Sequence, residues 1–173
     1  GGADPGARLV AVVPALRRRA LAARRYQLVH FNQYHYVRSH KELGYQVIAK
    51  NEEAHRSTMA GVILVRKDGG VQSLADLRGK TIVFGGDRQA LVSYIIPTFL
   101  LREAGLKPGD YREEFAVTPA NVALAVFFRR ADAGGSGDIL LDMPFVRDKV
   151  DASKLIYLKS SERVAQLPWA VRA

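Results

Sequence analysis

Lys80-Thr81-Ile82-Val83-Phe84-Gly85-Gly86-Asp87-Arg88-Gln89-Ala90-Leu91-Val92-Ser93-Tyr94-Ile95-Ile96-Pro97 reads as strand, glycine turn and helix. Thr81 to Phe84 is a β-branched and aromatic run without a polar break, the pattern of a strand buried on both faces. Gly85-Gly86 ends it. A helix is expected from about Gln89 to Ala104, with its apolar stripe at Leu91, Val92, Ile95, Ile96, Phe99 and Leu100 and its stop at Gly105. Pro97 falls inside that helix and removes one backbone donor, which predicts a kink near Ser93. In a parallel sheet this junction lies at the carboxyl end of a strand, where helix-start amides face whatever binds above them. A plain strand-to-helix turn that binds nothing is the competing reading.

The flanking chain repeats the alternation. Strands are expected at Leu9–Val13, Tyr26–Phe31, Tyr45–Lys50, Ala60–Lys67, Phe115–Val117, Leu155–Leu158 and Trp169–Val171. Helices are expected at Ala15–Arg25, at Tyr34–Lys41 closed by Gly44, and from Thr118-Pro119 to Arg130, with a short one at Pro144–Val150. Ser73 with Asp76 gives a capping-box signal, and Ala131–Gly135 reads as the chain leaving a helix. The expectation is an α/β chain with a mostly parallel sheet. Ala60–Lys67 and Trp169–Arg172 are candidate connecting strands between two lobes.

Composition narrows the chemistry. The chain has 173 residues, 48% of them hydrophobic, enough for a real core. It has no cysteine, which removes disulfides, thiolate metal sites and cysteine nucleophiles. It has no run of 18 apolar residues, the length a membrane-spanning helix needs, and no signal peptide is visible. The net charge of +9 is uneven: residues 1–50 hold nine Lys/Arg and two Asp/Glu, mostly through Arg17-Arg18-Arg19 and Arg24-Arg25. Such a run reads as a solvated helix face, or as a surface for an acidic partner. No nucleic-acid motif accompanies it, so no nucleic-acid partner is expected.

No catalytic set emerges. His30, His35 and His40 are five apart, whereas metal pairs on a helix want three or four. Asp132 and Asp138 are too dispersed for an acid/base pair. Ser93 has neither a base partner nor nucleophile-elbow glycines, and Gly85-Gly86 lacks the residues of a P-loop or a dinucleotide fingerprint. No enzyme, metal or cofactor is expected.

Several pieces in order resemble the phosphate/phosphite/phosphonate substrate-binding family of ABC transporters, with the type II periplasmic binding-protein fold. They are Tyr26-Gln27-Leu28-Val29-His30-Phe31-Asn32-Gln33-Tyr34-His35-Tyr36-Val37, Gly44-Tyr45, Val62-Ile63-Leu64-Val65-Arg66-Lys67-Asp68 and Ser73-Leu74-Ala75-Asp76-Leu77-Arg78-Gly79-Lys80-Thr81, followed by Phe84-Gly85 with Pro97, Ala131-Asp132-Ala133-Gly134 and Pro168-Trp169-Ala170-Val171-Arg172. The resemblance implies two α/β lobes joined by crossing strands. Residues 1–67 would form a first lobe, incomplete relative to longer family members. Residues 68–168 would form the second, and residues 169–173 would return to the first. It implies noncovalent capture of a small ligand, a permease partner and an extracytoplasmic location. The ligand would be an oxyanion such as phosphate, phosphite or phosphonate, or something less polar. The alternatives are a sensor module of the same fold feeding a kinase or regulator, and an interaction domain that uses the basic N-terminal helix. Exposed sheet edges are expected to promote self-association.

The same resemblance implies the site. Lobe one would offer Asn32, Gln33 and Tyr34, and Met59 would stand at the family's ligand-facing aromatic position. Lobe two would offer Arg88, Gln89, Ala90, Leu91 and Val92 at one helix start and Asn121 at the next, where the family often has histidine. The family's Ser-Thr-Ser triplet is Ala90-Leu91-Val92 here, and the acid that aminophosphonate binders use falls at Leu167. Hydroxyls have given way to apolar groups, so an anion would have to be held by backbone amides with Arg88 and Gln89.

Overall fold

A computed structural model describes residues 9–11, 20–23, 26–53 and 55–172. The arginine run at 17–19 and the pair at 24–25 lie outside these residues, as does most of the helix expected at Ala15–Arg25. The chain divides into two compact units, residues 1–58 with 165–173, and residues 59–164.

The first unit holds a four-stranded sheet in the order β1 (Leu9–Ala11), β2 (Leu28–His30), β11 (Pro168–Arg172), β3 (Tyr45–Lys50). β1 and β2 are parallel, and β11 runs antiparallel to β2 and β3. Helix α1 (Gln33–Leu43) starts where Asn32 Oδ1 accepts the His35 N–H at 3.0 Å. It stops at Gly44, whose φ of 75° lets its N–H turn back to the Ser39 and His40 carbonyls. Leu21, Val29, Phe31, Tyr45 and Ala170 form the core, with Tyr26, Tyr36 and Leu43 against it. On β3, Val47 and Ile48 are exposed.

The second unit holds a five-stranded sheet in the order β7 (Arg112–Ala116), β6 (Thr81–Gly85), β8 (Ala133–Gly137), β5 (Gly61–Arg66), β9 (Leu155–Ser160). β6 is parallel to β7 and β8, while β5 is antiparallel to β8 and β9. Both sheets are therefore mixed, not mostly parallel. Helix α2 (Ile96–Glu103) covers one face, packing its Leu101 in one core with Ile63, Val65, Ile82, Phe84 and Leu106. Helix α3 (Pro119–Phe127) covers the other, packing its Val122, Ala123 and Val126 in one core with Leu64 and Val83. The short helix α4 (Pro144–Arg147) adds Val146 to that second core.

Three expectations are corrected. Ala131–Gly135 does not simply leave a helix. Its last three residues begin β8, a central strand of sequence Ala-Gly-Gly-Ser-Gly. Glycine is a poor strand former, but at Gly134 and Gly135 no side chain would fit. A Cβ on Gly134 would stand 2.4 Å from Val122 Cγ1, and one on Gly135 would stand 2.4 Å from Phe84 Cδ1. Second, β5 and β11 are sheet strands within their units, because Gly61–Arg66 pairs with β8 and β9 and Pro168–Arg172 pairs with β2 and β3. The chain instead crosses at β4 (Thr58–Met59) and β10 (Val164–Ala165), which pair as a two-stranded sheet. The expected boundaries at 67/68 and 168/169 thus become 58/59 and 164/165. Third, the chain answers Pro97 with a wide turn. Leu91–Ile95 is π-helical, with Ile95 N–H bonded to Ala90 O, and it runs into α2. Proline can neither donate to the Ser93 carbonyl four residues back nor avoid its bulk.

Candidate functional site

The strand register brings one set of chain ends together at one edge of the second sheet. Gly85 ends β6 beside Ala116 of β7, Phe84 pairs with Gly135 of β8, and Gly137 pairs with Gly61 at the start of β5. Val62 pairs with Ser160 near the end of β9. The π-turn and the start of α3 both meet this edge. A Cβ on Gly85 would lie 3.4 Å from Pro119 Cα and 3.6 Å from Ser93 Cβ.

The turn after β6 is built locally. Gly86 takes φ +94°, Asp87 Oδ1 accepts the Gln89 N–H at 2.7 Å, and the Ala90 N–H returns to Asp87 O. Gln89 therefore belongs to the turn, and the helical segment starts at Leu91. Its amides at Leu91, Val92 and Ser93 precede the first intrahelical bond, Tyr94 N–H to Ala90 O, and so point out of the helix start. The partial positive charge there is about half a unit.

The side chains around these amides are apolar. Val92 Cγ2 and Met59 Cε converge, at 3.5 and 3.7 Å from where a Cβ on Gly137 would be. Met59 is buried, and Ala90, Leu91 and Val92 are half-buried. Asn121 sits exposed in the first turn of α3, where its N–H meets the Thr118 cap. Ser136, 1% exposed on the α3 face of β8, has a hydroxyl without a hydrogen-bond partner among the described residues.

Arg88 does not add charge to this helix start. Its guanidinium pairs with Glu113 of β7 at 2.5 Å and lies over the Tyr94 and Phe115 rings. Glu113, only 11% exposed, also accepts the Tyr94 hydroxyl at 2.9 Å. A largely desolvated carboxylate holds its arginine firmly.

Asp138 carries more of the site's architecture than its sequence context suggests. Asp132 and Asp138 stand at opposite ends of β8, and Asp132 Oδ2 accepts the Thr81 N–H. Asp138, 12% exposed, accepts the Ala60 N–H on Oδ1 at 3.0 Å and Arg163 on Oδ2 at 2.6 Å. Its own N–H bonds Ala60 O, and its carbonyl accepts the Tyr157 hydroxyl. No sequence signal marked it, since its two partners lie 78 and 25 residues away.

In the first unit, Asn32, Gln33 and Tyr34 stand together at the start of α1. Asn32 caps the helix, and Gln33 Nε2 donates to Ala165 O at 2.9 Å. The Tyr34 ring meets His35 edge-on, and Arg38 is held in its charged form by Glu42 first and Tyr34 second. His30 stacks on Trp169 with centroids 4.4 Å apart, and Trp169 Nε1 donates to Asn51 Oδ1 at 2.7 Å. Burial lowers the His30 pKa, and its Nε2 has no hydrogen-bond partner among the described residues. Nothing local to His30 signals its stack with Trp169, which joins distant parts of the sequence.

A family model described as the periplasmic substrate-binding protein of phosphonate ABC transporters matches residues 12–173. Among solved structures, XAC2383 from Xanthomonas citri bound to ATP is 19% identical, with a TM-score of 0.71, over 93% of this chain and 63% of that one. PhnD1 from Prochlorococcus marinus in complex with methylphosphonate is 16% identical, with a TM-score of 0.71, over 89% and 59%. A binding-protein component of an ABC phosphonate transporter from Pseudomonas aeruginosa is 16% identical, with a TM-score of 0.69, over 89% and 53%. The chain thus spans less than two thirds of the length of each, and all three share its fold.

Proposed function

The chain belongs to the family of periplasmic substrate-binding proteins of phosphonate ABC transporters, and on that premise we propose that it captures a small ligand noncovalently. One observation supports this most. Two helix starts and the buried Met59 meet at a single strand-end edge, with the amides of Leu91, Val92 and Ser93 directed out of the π-turn. Open sheets bind ligands at such edges. In the second unit the proposed contacts are Met59, Ala90, Leu91, Val92 and Asn121. Gln89 acts by shaping the turn, and Arg88 is removed from the set because Glu113 holds it. In the first unit they are Asn32, Gln33 and Tyr34. Delivery to a membrane permease, an extracytoplasmic location and the absence of a catalysed reaction belong to the same proposal and follow from the family's role.

The test is thermal-shift screening of the folded chain with phosphate, phosphite, methylphosphonate and a panel of small metabolites. A ligand present at 100 times its dissociation constant adds about 2.7 kcal/mol of stability. A well-folded sample that responds to nothing overturns the reading.

A further inference from the structure

We propose that this edge is selective for an uncharged ligand, a compact apolar body bearing one strong hydrogen-bond acceptor, and that it discriminates against doubly charged oxyanions. The inference rests on the capture reading above and names the ligand class of that same site.

Charge at the edge carries the argument. The segments that meet there are 59–61, 85–93, 117–121, 137–142 and 161–164. They contain two cations, Arg88 and Arg163, and four carboxylates, Asp87, Asp138, Asp142 and Glu162, of which Asp142 is paired with Arg147 of α4 at 2.9 Å. In a chain of net charge +9 this edge is acidic. Both arginines are paired, Arg88 with Glu113 at 2.5 Å and Arg163 with Asp138 at 2.6 Å. A dianion taken out of water here would meet uncharged side chains and the amides of two helix starts, each worth about half a charge, with both arginines already paired.

The side chains point the same way. Met59 and Val92 converge beside Gly137, and the Ala90 methyl lies 3.4 Å from the Cβ position of Gly86. These are walls for methyl and methylene groups. The amides of Leu91, Val92 and Ser93 supply donors for a single phosphoryl, sulfonyl or carbonyl oxygen. A cation is disfavoured too, because the helix start repels it. The nearest carboxylates are occupied: both Asp138 oxygens accept protein donors, and Asp87 Oδ1 accepts the Gln89 N–H.

Three probes of similar size separate the cases by titration calorimetry on the full chain: methylphosphonate, its neutral dimethyl ester, and tetramethylammonium. The neutral ester is expected to bind at least tenfold tighter than either charged probe. Equal or tighter binding of a charged probe overturns the selectivity and leaves ligand capture standing. If all three are silent, the charge of any ligand found by the metabolite panel decides: a neutral one supports the inference and a charged one overturns it. If the panel is silent as well, in a sample folded by circular dichroism, both readings fall. The triple substitution Ala90→Ser, Leu91→Thr, Val92→Ser adds hydroxyl donors and is expected to move the preference at least tenfold toward methylphosphonate. An unchanged preference in a folded variant overturns the assignment of selectivity to these side chains.

Discussion

Replacing Gly134 with alanine tests whether β8 is bare because α3 must touch its backbone. The new Cβ would stand 2.4 Å from Val122 Cγ1 and 3.2 Å from Val126 Cγ2, while ordinary contact begins near 3.4 Å, so the nearer pair must separate by about 1 Å. Neither valine can turn away, since β-branched side chains keep one rotamer in a helix. Helix α3 must therefore lift from the sheet, against a core in which Val122, Ala123 and Val126 are fully buried. Overpacking of this kind costs about 1–3 kcal/mol. Restricting the unfolded chain by a glycine-to-alanine change returns about 0.4–1 kcal/mol. The net expectation is a loss of about 1–2 kcal/mol, a fall of roughly 0.5–1 M in the urea midpoint at a typical slope. Gly137→Ala is the control. Its Cβ would meet Val92, Met59 and the Ala60 carbonyl at 3.5–4.0 Å, so it is expected to leave stability level or slightly raised. Adding Val122→Ala to Gly134→Ala is expected to recover about 1 kcal/mol relative to the sum of the single changes. The assay is urea unfolding followed by far-ultraviolet circular dichroism. If Gly134→Ala is as stable as the parent, or if Gly137→Ala loses as much, the close-approach argument for this strand is wrong.

Three further outcomes are expected. Arg88→Ala leaves the largely buried Glu113 carboxylate with the Tyr94 hydroxyl, and should cost about 1–3 kcal/mol in the same unfolding assay. It should also leave the affinity for any ligand found by screening within about twofold, whereas a tenfold loss would return Arg88 to the site. Tyr111→Phe removes a buried hydroxyl that has no partner among the described residues and should add about 1 kcal/mol at neutral pH. Burial pushes the Tyr111 pKa from 10.0 to about 12, so its contribution is present below pH 10 and lost as pH rises toward 12; the phenylalanine variant should lack that part of the alkaline loss seen in urea midpoints against pH. At the acid end Arg66, assisted by Arg129, holds Asp68 down from 3.8 to about 2, so its contribution is complete above pH 3.8 and lost as pH falls toward 2; Asp68→Asn should flatten that limb, and an unaltered acid slope would count against the pairing.

Much of the second unit was legible where local chemistry and tertiary role agree. β6 followed by a glycine turn, the Ser73 cap with Asp76, the Thr118-Pro119 helix start and the Gly105 stop all depend on neighbours in sequence. In the first unit the same holds for β3 and for α1 as far as Gly44. What was hidden depends on distant partners. β8 has no strand propensity of its own, and the reason for Gly134 and Gly135 sits on Val122 and Phe84. Arg88 looked available because Glu113 lies 25 residues away on an edge strand. The run at Ala60–Lys67 had the length of a connector, and only its pairing with β8 and β9 makes it part of a sheet. The wide turn at Leu91–Ile95 is one of several ways a helix can accommodate proline, and the close seat of Ile96 against Gly61 accompanies the choice.

Asp138 accepts from Ala60, the first residue after β4, and from Arg163, the last residue before β10. One carboxylate thus clamps both places where the chain leaves the second unit. The two crossings are consequently not independent joints. A backbone rotation at Met59–Ala60 loads the Arg163 pair, and a shift at Arg163 is felt at Ala60. Flexibility engineered into one strand, by glycine insertion or by loop lengthening, would be damped by the other until Asp138 is released.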